Sequence, residues 1–285
     1  MRRLSLRSPA KLNLFLNVTQ KRHDGYHNLT TLFERIDLCD VIHLQPNRTG
    51  KICLHADHPG LCSTKQNLAT RAAVLLKDRY RIPHGADIHL VKNIPVAAGL
   101  GGGSSNAAAV LMGLNRLWKL NRSLAELSAC GRELGSDVPF FLYGCRWAVG
   151  RRRGDQIKPV AIKPRLWHVL IVPCLKIYSR EVFTALNLQL TKRTGNVNIL
   201  IRSLQYNNIN NVQRLLSNDL ESGIFTTCPK LLKIKNRISR ITGRPVAFSG
   251  SGPSMFVITQ GPKEAAGIHQ ALERLYRRVY IVKTA

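Results

Sequence analysis

The chain has 285 residues, 44% of them hydrophobic, which is enough for one large domain or two modest ones with a sizeable core. Its formal net charge of +27 favours anionic partners such as nucleotides, diphosphates or nucleic acid, although the basic residues are spread along the whole chain. No run approaches the roughly 20 apolar residues of a membrane helix, and no signal peptide is apparent. The seven cysteines are dispersed without a CxxC pair, as is typical of reduced thiols. We therefore expect a cytoplasmic protein with no membrane segment and no metal ligands of its own.

The first half of the chain alternates strands and helices. Residues 11–18 alternate as a strand does, with Leu12 and Leu14 on one face and Lys11 and Asn13 on the other. The apolar patterns that follow predict several further elements. These are a strand near residues 36–44, a helix from 67, a strand at 86–94, a helix at 105–120 and a helix that Asn121 or Ser123 caps and Gly135 ends.

The second half continues the alternation after a charged stretch, residues 150–164, which is the candidate domain boundary. The predicted elements are a strand at 168–173, a helix from Ser179, a mostly helical region to about 242, two strands around a glycine turn at 244–259, a helix at 263–275 and a strand at 278–284. Helices and strands thus alternate in both halves, which predicts an α+β protein of two domains.

A glycine-rich segment, GLGGGSS at residues 99–105, lies between a predicted strand and a predicted helix. Glycines let the backbone approach a polyphosphate closely, and a helix start offers N–H groups and a partial positive charge. Tight strand–helix packing is the alternative interpretation. The segment lacks the Lys of a Walker A loop, and Ser104 stands where a dinucleotide fingerprint needs glycine.

The longer string PVAAGLGGGSS, residues 95–105, resembles the PxxxGLGSSA signature of the GHMP small-molecule kinases. Its extra glycine is most similar to the branch that phosphorylates 4-diphosphocytidyl-2-C-methyl-D-erythritol. Three further parts of the chain support that branch and follow its order. They are KLNL at 11–14 with RHDGYH at 22–27, SDVPFF at 136–141 and FSGSGPS at 248–254.

The resemblance implies a two-domain GHMP kinase fold with the active site in the cleft between the domains. A ribosomal-S5-domain-2-like domain would span residues 1–160 and carry the ATP-binding loop, and a ferredoxin-like domain would span 161–285. The implied reaction transfers the γ-phosphoryl group of ATP to the 2-hydroxyl of the cytidyl substrate, in the methylerythritol phosphate route to isoprenoids. Mg²⁺ is expected with the nucleotide. We expect a monomer or weak homodimer that binds these small molecules and not nucleic acid.

The resemblance also implies roles for individual residues. Asp137 would accept the hydroxyl proton and Lys11 would steady the aspartate and the alcohol; a helix N-cap and a solvated strand lysine are the alternatives. Tyr26 would stack on cytosine, His27 would read its edge and Phe183 would close the other side. Asn13 and Ser179 complete the substrate-binding set. The ATP-binding set is Pro95, Val96, Ala97, Ala98, Gly99, Leu100, Gly101, Gly102, Gly103, Ser104, Ser105, Asn67 and Lys92.

Two other functions remain open on these residues. Another GHMP kinase, for homoserine or mevalonate, would not need the GYH motif, because those substrates carry no cytosine. A nucleic-acid-binding protein would suit the charge but not the Lys11 and Asp137 pattern. One departure from the family is the stretch GRRRGD, residues 150–155, which stands where an arginine-glycine-glutamate pattern is usual.

Overall fold

The structure is a computed structural model that describes residues 3–58, 61, 66–186 and 195–285. The described residues form strands whose bounds are β1 Leu4–Lys21, β2 His27–Asn47, β3 Ile52–Ala56, β4 Gly85–Val91, β5 Trp147–Arg152, β6 Gln156–Pro159, β7 Trp167–Ile171, β8 Ser217–Asn218, β9 Ala247–Phe248, β10 Met255–Thr259 and β11 Val279–Lys283. The helices are α1 Leu68–Arg79, α2 Gly102–Leu117, α3 Leu124–Leu134, α4 Val138–Leu142, α5 Ser179–Thr184, α6 Val197–Gln205, α7 Ile209–Leu215, α8 Glu221–Thr227, α9 Lys230–Thr242 and α10 Pro262–Glu273.

These elements divide into two compact units, and the long strands β1 and β2 contribute residues to both. The first unit comprises residues 1–10, 38–96 and 101–145, and the second comprises 11–37, 97–100 and 146–285. The earlier division at residue 160 stays a prediction.

In the first unit, strands lie in the order β3-β4-β2-β1, and helices α1 to α4 belong to the same unit. The C-terminal half of β2 runs antiparallel to β4, and β3 runs parallel to β4. Helix α3 begins as its sequence predicts, because Ser123 and Glu126 form a reciprocal capping box that satisfies N–H groups of the first turn. The apolar faces of α1 and α2 bury small residues, which lets these helices pack closely.

In the second unit, β8 pairs with the middle of β1, and β5 pairs with the first half of β2 and with β6. A separate antiparallel sheet has the order β11-β7-β10-β9. Its core includes Val169, Met255 and Val257 from the sheet with Ile238 and Leu272 from helices α9 and α10. The apolar faces of these strands and helices thus form one common core.

The charged stretch at residues 150–164, interpreted from its composition as a boundary, forms most of a β-hairpin. Residues Ala148–Arg151 of β5 pair with β6 residues Gln156–Pro159, and β5 also pairs with β2. The arginines after Gly150 are exposed at the end of β5 and half-buried in the turn that follows it. Their charge is therefore compatible with a strand, because an antiparallel strand can face water.

Within the described part of the chain, no helix combines the length and the apolar character that crossing a membrane requires.

Candidate active site

Lys11 and Asn13 lie on one face of β1 and are both buried, with 4% and 3% of their surfaces exposed. The Lys11 ammonium donates to the side-chain oxygen of Asn13 at 2.5 Å. The Asn13 amide nitrogen in turn donates to Thr31 Oγ1 at 2.8 Å, and that hydroxyl donates to the Phe15 carbonyl at 2.7 Å. This chain of donors fixes the Asn13 amide with its oxygen towards Lys11. The alternative of a solvated strand lysine is therefore wrong.

The glycine-rich segment adopts backbone conformations that favour glycine. Gly99 has φ of 76° and Gly101 has φ of 70°, both in the left-handed region. Helix α2 begins at Gly102, three residues earlier than predicted, and its cap residue Gly101 offers no side-chain hydrogen bond to the first turn. The helix start is thus built from backbone alone, which is the arrangement that suits a bound phosphate.

Gly99 also packs against the glycine turn of residues 249–252, in the second unit. A Cβ atom added at Gly99 would lie 2.4 Å from the Ser249 carbonyl oxygen and 2.7 Å from that of Gly252. Ser249 Oγ donates to the Gly99 carbonyl at 3.0 Å. Gly99 is therefore closely packed, but against a turn and not between a strand and a helix as the alternative interpretation states, and this packing does not conflict with a phosphate role for the residues that follow.

The same turn reaches the buried face of β1. A Cβ atom added at Gly250 would lie 3.3 Å from both Lys11 Nζ and Asn13 Oδ1. The backbone of Lys11 donates to the Leu100 carbonyl at 3.0 Å. The second unit thus brings Lys11, Asn13, Leu100 and the glycine turn together. Asn218, which sequence reasoning missed, fixes the turn by donating to the Gly250 carbonyl at 2.8 Å.

In the first unit, Asp40 organises the residues that precede α2. Its carboxylate accepts from the Lys92 ammonium at 2.6 Å and from Asn106 Nδ2 at 2.9 Å. It also accepts from the backbone N–H groups of Asn93 and Ile94, each at 2.8 Å. Burial lowers the pKa of Lys92, and the charge of Asp40 opposes that change. Lys92 is thus held in a buried ion pair, and Asp40 is a residue that no sequence motif indicated.

Ser105 is buried and belongs to the same network. Ser8 Oγ donates to Ser105 Oγ at 2.8 Å and accepts from Asn106 at 2.9 Å. Gly102 lies beside Lys92, since a Cβ atom added there would be 3.1 Å from Nζ. The first unit thus brings Ser105, Gly102 and Lys92 of the predicted ATP-binding set together. Asn67 caps α1 by accepting from the backbone N–H of Ala69 at 2.9 Å.

Asp137 occupies the N-cap position of α4, but its side chain makes no capping hydrogen bond. The alternative role as a helix cap is therefore wrong for the carboxylate. Its segment lies beside the glycine loop within the first unit, because a Cβ atom added at Gly135 would be 3.7 Å from Ser104 Oγ. The role of Asp137 as a proton acceptor stays a prediction.

The turn between β1 and β2 carries Tyr26 and His27. Tyr26 is 55% exposed, whereas His27 is buried and stacks on Phe183, with ring centroids 5.1 Å apart and an interplanar angle of 26°. Burial, and secondarily the charge of Lys21, lowers the pKa of His27 below its ordinary value. The imidazole is thus neutral at pH 7, with one ring nitrogen as donor and the other as acceptor.

Ser179 lies against the glycine turn, where its hydroxyl is 2.7 Å from that of Ser251. The second unit therefore brings Ser179 and the turn together, and it brings Phe183, one helical turn further along α5, to His27. The binding roles of these residues stay predictions. Among the described residues, no group of three or more His, Cys, Asp or Glu side chains could hold a metal ion.

Comparison with known proteins identifies the family. The family model of the GHMP kinases N terminal domain matches residues 67–145, and the model of the GHMP kinases C terminal region matches residues 200–278. A 4-diphosphocytidyl-2-C-methyl-D-erythritol kinase from Bacillus subtilis is 38% identical over 99% of this chain and 96% of its own length. The enzyme of the same name from Exiguobacterium sibiricum is 37% identical over 98% and 96%.

Solved structures agree as well. A crystal structure of 4-(cytidine 5'-diphospho)-2C-methyl-D-erythritol kinase superposes with a TM-score of 0.83 at 35% identity, covering 98% of each chain. A homoserine kinase from Cytophaga hutchinsonii superposes with a TM-score of 0.76 at 17% identity, covering 100% of this chain and 95% of that one, and so shares the fold. The predicted two-domain fold and the predicted family are confirmed, and the chain belongs to the GHMP kinase family.

Proposed function

We propose that the chain phosphorylates the 2-hydroxyl of 4-diphosphocytidyl-2-C-methyl-D-erythritol with ATP, within the methylerythritol phosphate route of isoprenoid biosynthesis. The observation that carries this proposal is the hairpin of Tyr26 and His27 with Phe183 stacked beside it. Homoserine and mevalonate offer no planar base for such a group of rings. Relatives 37–38% identical over nearly the full chain carry the name of this kinase, which supports the same substrate.

ATP is the phosphoryl donor of this proposed reaction. Its triphosphate would lie on the loop of residues 95–105, where glycine backbone and the start of α2 offer N–H donors and a partial positive charge of about +0.5. The hydroxyls of Ser104 and Ser105 and the buried ammonium of Lys92 would lie with that loop. Asn67, whose side chain caps α1, would contribute on the adenine side.

Phosphoryl transfer depends mainly on positioning and charge neutralisation. The bond between the γ-phosphorus and the β,γ-bridging oxygen breaks, a bond from the substrate 2-hydroxyl oxygen to that phosphorus forms, and ADP leaves. We assign the hydroxyl proton to the Asp137 carboxylate, whose segment lies beside the glycine loop within the first unit. A general base of this kind contributes typically ~10²–10⁴-fold. The Lys11 ammonium, aligned by Asn13, would stabilise negative charge on the reacting oxygen.

The cytidine end is recognised by stacking and hydrogen bonds in this proposal. Tyr26 presents a largely exposed ring on which cytosine would stack, at about 1–3 kcal/mol per stacked base. The neutral imidazole of His27 offers one donor and one acceptor to the edge of the base. Phe183 would close the other side of the base, and Ser179 and Asn13 would bind polar groups of the substrate.

Mg²⁺ is expected to arrive with ATP. The described residues offer it no cluster of three or more His, Cys, Asp or Glu side chains. Mg²⁺ in kinases keeps several waters and is held largely by the phosphates, so few protein ligands are needed. The bound ion would neutralise phosphate charge. We further expect a cytoplasmic monomer or weak homodimer that does not need nucleic acid.

ADP release by the purified protein tests the proposed function. The protein is offered ATP and Mg²⁺ with 4-diphosphocytidyl-2-C-methyl-D-erythritol, homoserine or mevalonate in turn. We expect ADP to form only with the first acceptor. Release with homoserine or mevalonate alone would assign a different GHMP kinase activity. Release with none of the three, together with salt-sensitive RNA binding, would overturn the proposal.

A further inference from the structure

Arg153 lies over the ring of Tyr26, with its guanidinium carbon 5.0 Å from the ring centroid. A guanidinium is attracted to the negative face of an aromatic ring and can stack on it as a plane. Because 55% of Tyr26 is exposed, packing alone restricts this ring little. Arg153 thus covers one face of a largely exposed ring.

Arg153 is itself held in place. It lies in the turn between β5 and β6, which closes through a hydrogen bond from the Gly154 N–H to the Arg151 carbonyl at 3.0 Å. Its guanidinium donates to the Asp155 carboxylate at 3.0 Å, and Asp155 is buried. Strand β5 pairs with the first half of β2, so this turn is anchored next to the hairpin that carries Tyr26. The cation is therefore oriented before any ligand binds.

A second ion pair holds the backbone of Tyr26. Asp24 accepts from the Tyr26 N–H at 3.1 Å and from the guanidinium of Arg22 at 2.9 to 3.1 Å. The pKa of Asp24 is lowered chiefly by the Arg22 hydrogen bond, and the charge of Arg153 lowers it further. The two ion pairs are thus neighbours: the Arg22 pair fixes the main chain of Tyr26, and the Arg153 pair covers its ring.

We propose that Arg153, oriented by Asp155, is a positioning residue that presents the uncovered face of Tyr26 to the cytosine base. A planar base then meets a ring whose orientation is already fixed, so less rotational entropy is lost on binding. This inference rests on the proposed function, since it assigns the stacked ligand as the cytidyl group. It also gives a role to Arg153 and Asp155 of the GRRRGD stretch, residues 150–155.

Steady-state kinetics of Arg153→Gln test the inference. We expect the KM for the cytidyl substrate to rise roughly three- to tenfold, the size of effect that one cation–π contact supports, while kcat and the KM for ATP stay within twofold. Arg153→Lys retains a cation for the ring and should recover part of the loss. Arg151→Gln removes the same charge from an exposed neighbour and should leave all constants unchanged.

A double-mutant cycle separates positioning from direct contact with the substrate. If Arg153 acts through Tyr26, Arg153→Gln should have no further effect on the KM of the Tyr26→Ala variant. An undiminished effect in that background would show that Arg153 binds the substrate itself and would overturn the inference, as would an unchanged KM in the single variant. Thermal melting checks folding, and Asp155→Asn, which releases the guanidinium, replaces Arg153→Gln in the cycle should the latter fail to fold.

The activity of the parent protein distinguishes a failure of the proposed function from a failure of the positioning role of Arg153. If the parent does not phosphorylate the cytidyl substrate, the proposed function and this inference fail together. If the parent phosphorylates it and the Arg153 variants match the parent in the KM for that substrate, only the positioning role fails.

Discussion

The Lys11 ammonium donates to the side-chain oxygen of Asn13, two residues along the same strand face, at 2.5 Å. Strand alternation puts both side chains on one face, and the glycine turn at Gly250 covers them. Burial of a polar group is costly unless it is hydrogen-bonded, so the Asn13 oxygen offsets part of the cost of burying Lys11. Thr31 completes the arrangement by fixing which way the amide points.

Asn13→Ala should lower kcat by about 10- to 100-fold, because a hydrogen bond to a charged group is worth about 1.5–3 kcal/mol. The KM for ATP should change little. Thr31→Val removes the acceptor of the Asn13 amide and should have a smaller effect in the same direction, whereas Thr31→Ser keeps the hydroxyl and should behave as the parent. A kcat of Asn13→Ala within twofold of the parent would exclude this role for the Lys11–Asn13 pair.

Gly99→Ala should destabilise the fold, because its φ of 76° and the Ser249 carbonyl both oppose a Cβ atom. We expect a loss of at least about 1–3 kcal/mol in the free energy of unfolding, measured in urea, with a higher KM for ATP. Gly267→Ala is the matched control, since this glycine lies within α10 with open space around it. That variant should be more stable by about 0.5–1 kcal/mol. Equal stability of the two variants would contradict the close packing at Gly99.

Asp40→Asn should cost about 3–5 kcal/mol of stability, because it leaves the buried Lys92 charge without its carboxylate. Glu133→Gln, which breaks an ion pair with Arg79 near the surface, should cost at most about 1 kcal/mol. Urea unfolding at pH 7 compares the two variants. A cost for Asp40→Asn as small as that of the control would contradict a structural role for the buried pair.

The free energy of unfolding of the Asp40→Asn variant should depend on pH in a direction that the pKa of Lys92 determines. Burial depresses the pKa of Lys92, so its contribution to stability is fully present above the ordinary lysine value, about 10.4, and is lost as pH falls through the folded value. Asp40 opposes that depression, so its loss should widen the pH range between the folded and the ordinary pKa of Lys92. The free energy of unfolding of Asp40→Asn should therefore rise more steeply between pH 7 and 10 than that of the parent, and a parallel curve would argue against the assignment.

His27 should bind the cytidyl substrate as a neutral imidazole. Its pKa is depressed by burial and, to a lesser extent, by Lys21, so protonation sets in only below the ordinary value of about 6.5. We expect kcat/KM to fall at acid pH, and the Lys21→Gln variant to move this fall to higher pH because it removes one depressing charge. A pH profile of kcat/KM with NMR titration of His27 measures both. A fall that moves to lower pH in Lys21→Gln would refute the assignment.

The local sequence pattern is sufficient to predict those elements whose structure depends mainly on their own residues. The alternation in β1 correctly separated Lys11 from Leu12, and the capping residues of α3 marked its start. The alternation could not tell that the polar face of β1 is buried, because the turn that covers it lies more than 200 residues away in the sequence. The predicted start of helix α2 is three residues too late because the pattern treats Gly102 and Gly103 as loop, although glycine can begin a helix.

Contacts between distant segments account for what was missed. Asp40 binds Lys92 and Asn106, which lie 52 and 66 positions further along the chain, and no spacing rule joins them. Strands β5 and β6 were missed because charge and glycine made their stretch look like a linker, whereas pairing with β2 decides its conformation. The predicted roles of residues in the candidate site come from motif resemblance. A catalytic or binding role, as predicted for Asp137 and Tyr26, produces no periodic pattern in the sequence.

Phosphorus-31 NMR of the product made from ATP and 4-diphosphocytidyl-2-C-methyl-D-erythritol is the most direct test of the proposed kinase. We expect one new phosphomonoester resonance at the 2-position, formed in step with ADP. Asp137→Asn should form it more slowly by about 10²–10⁴-fold while melting as the parent does, and the exposed Asp78→Asn should form it at the parent rate. Absence of the 2-phosphate with the parent, or an Asp137→Asn variant of near-full activity, would contradict the account.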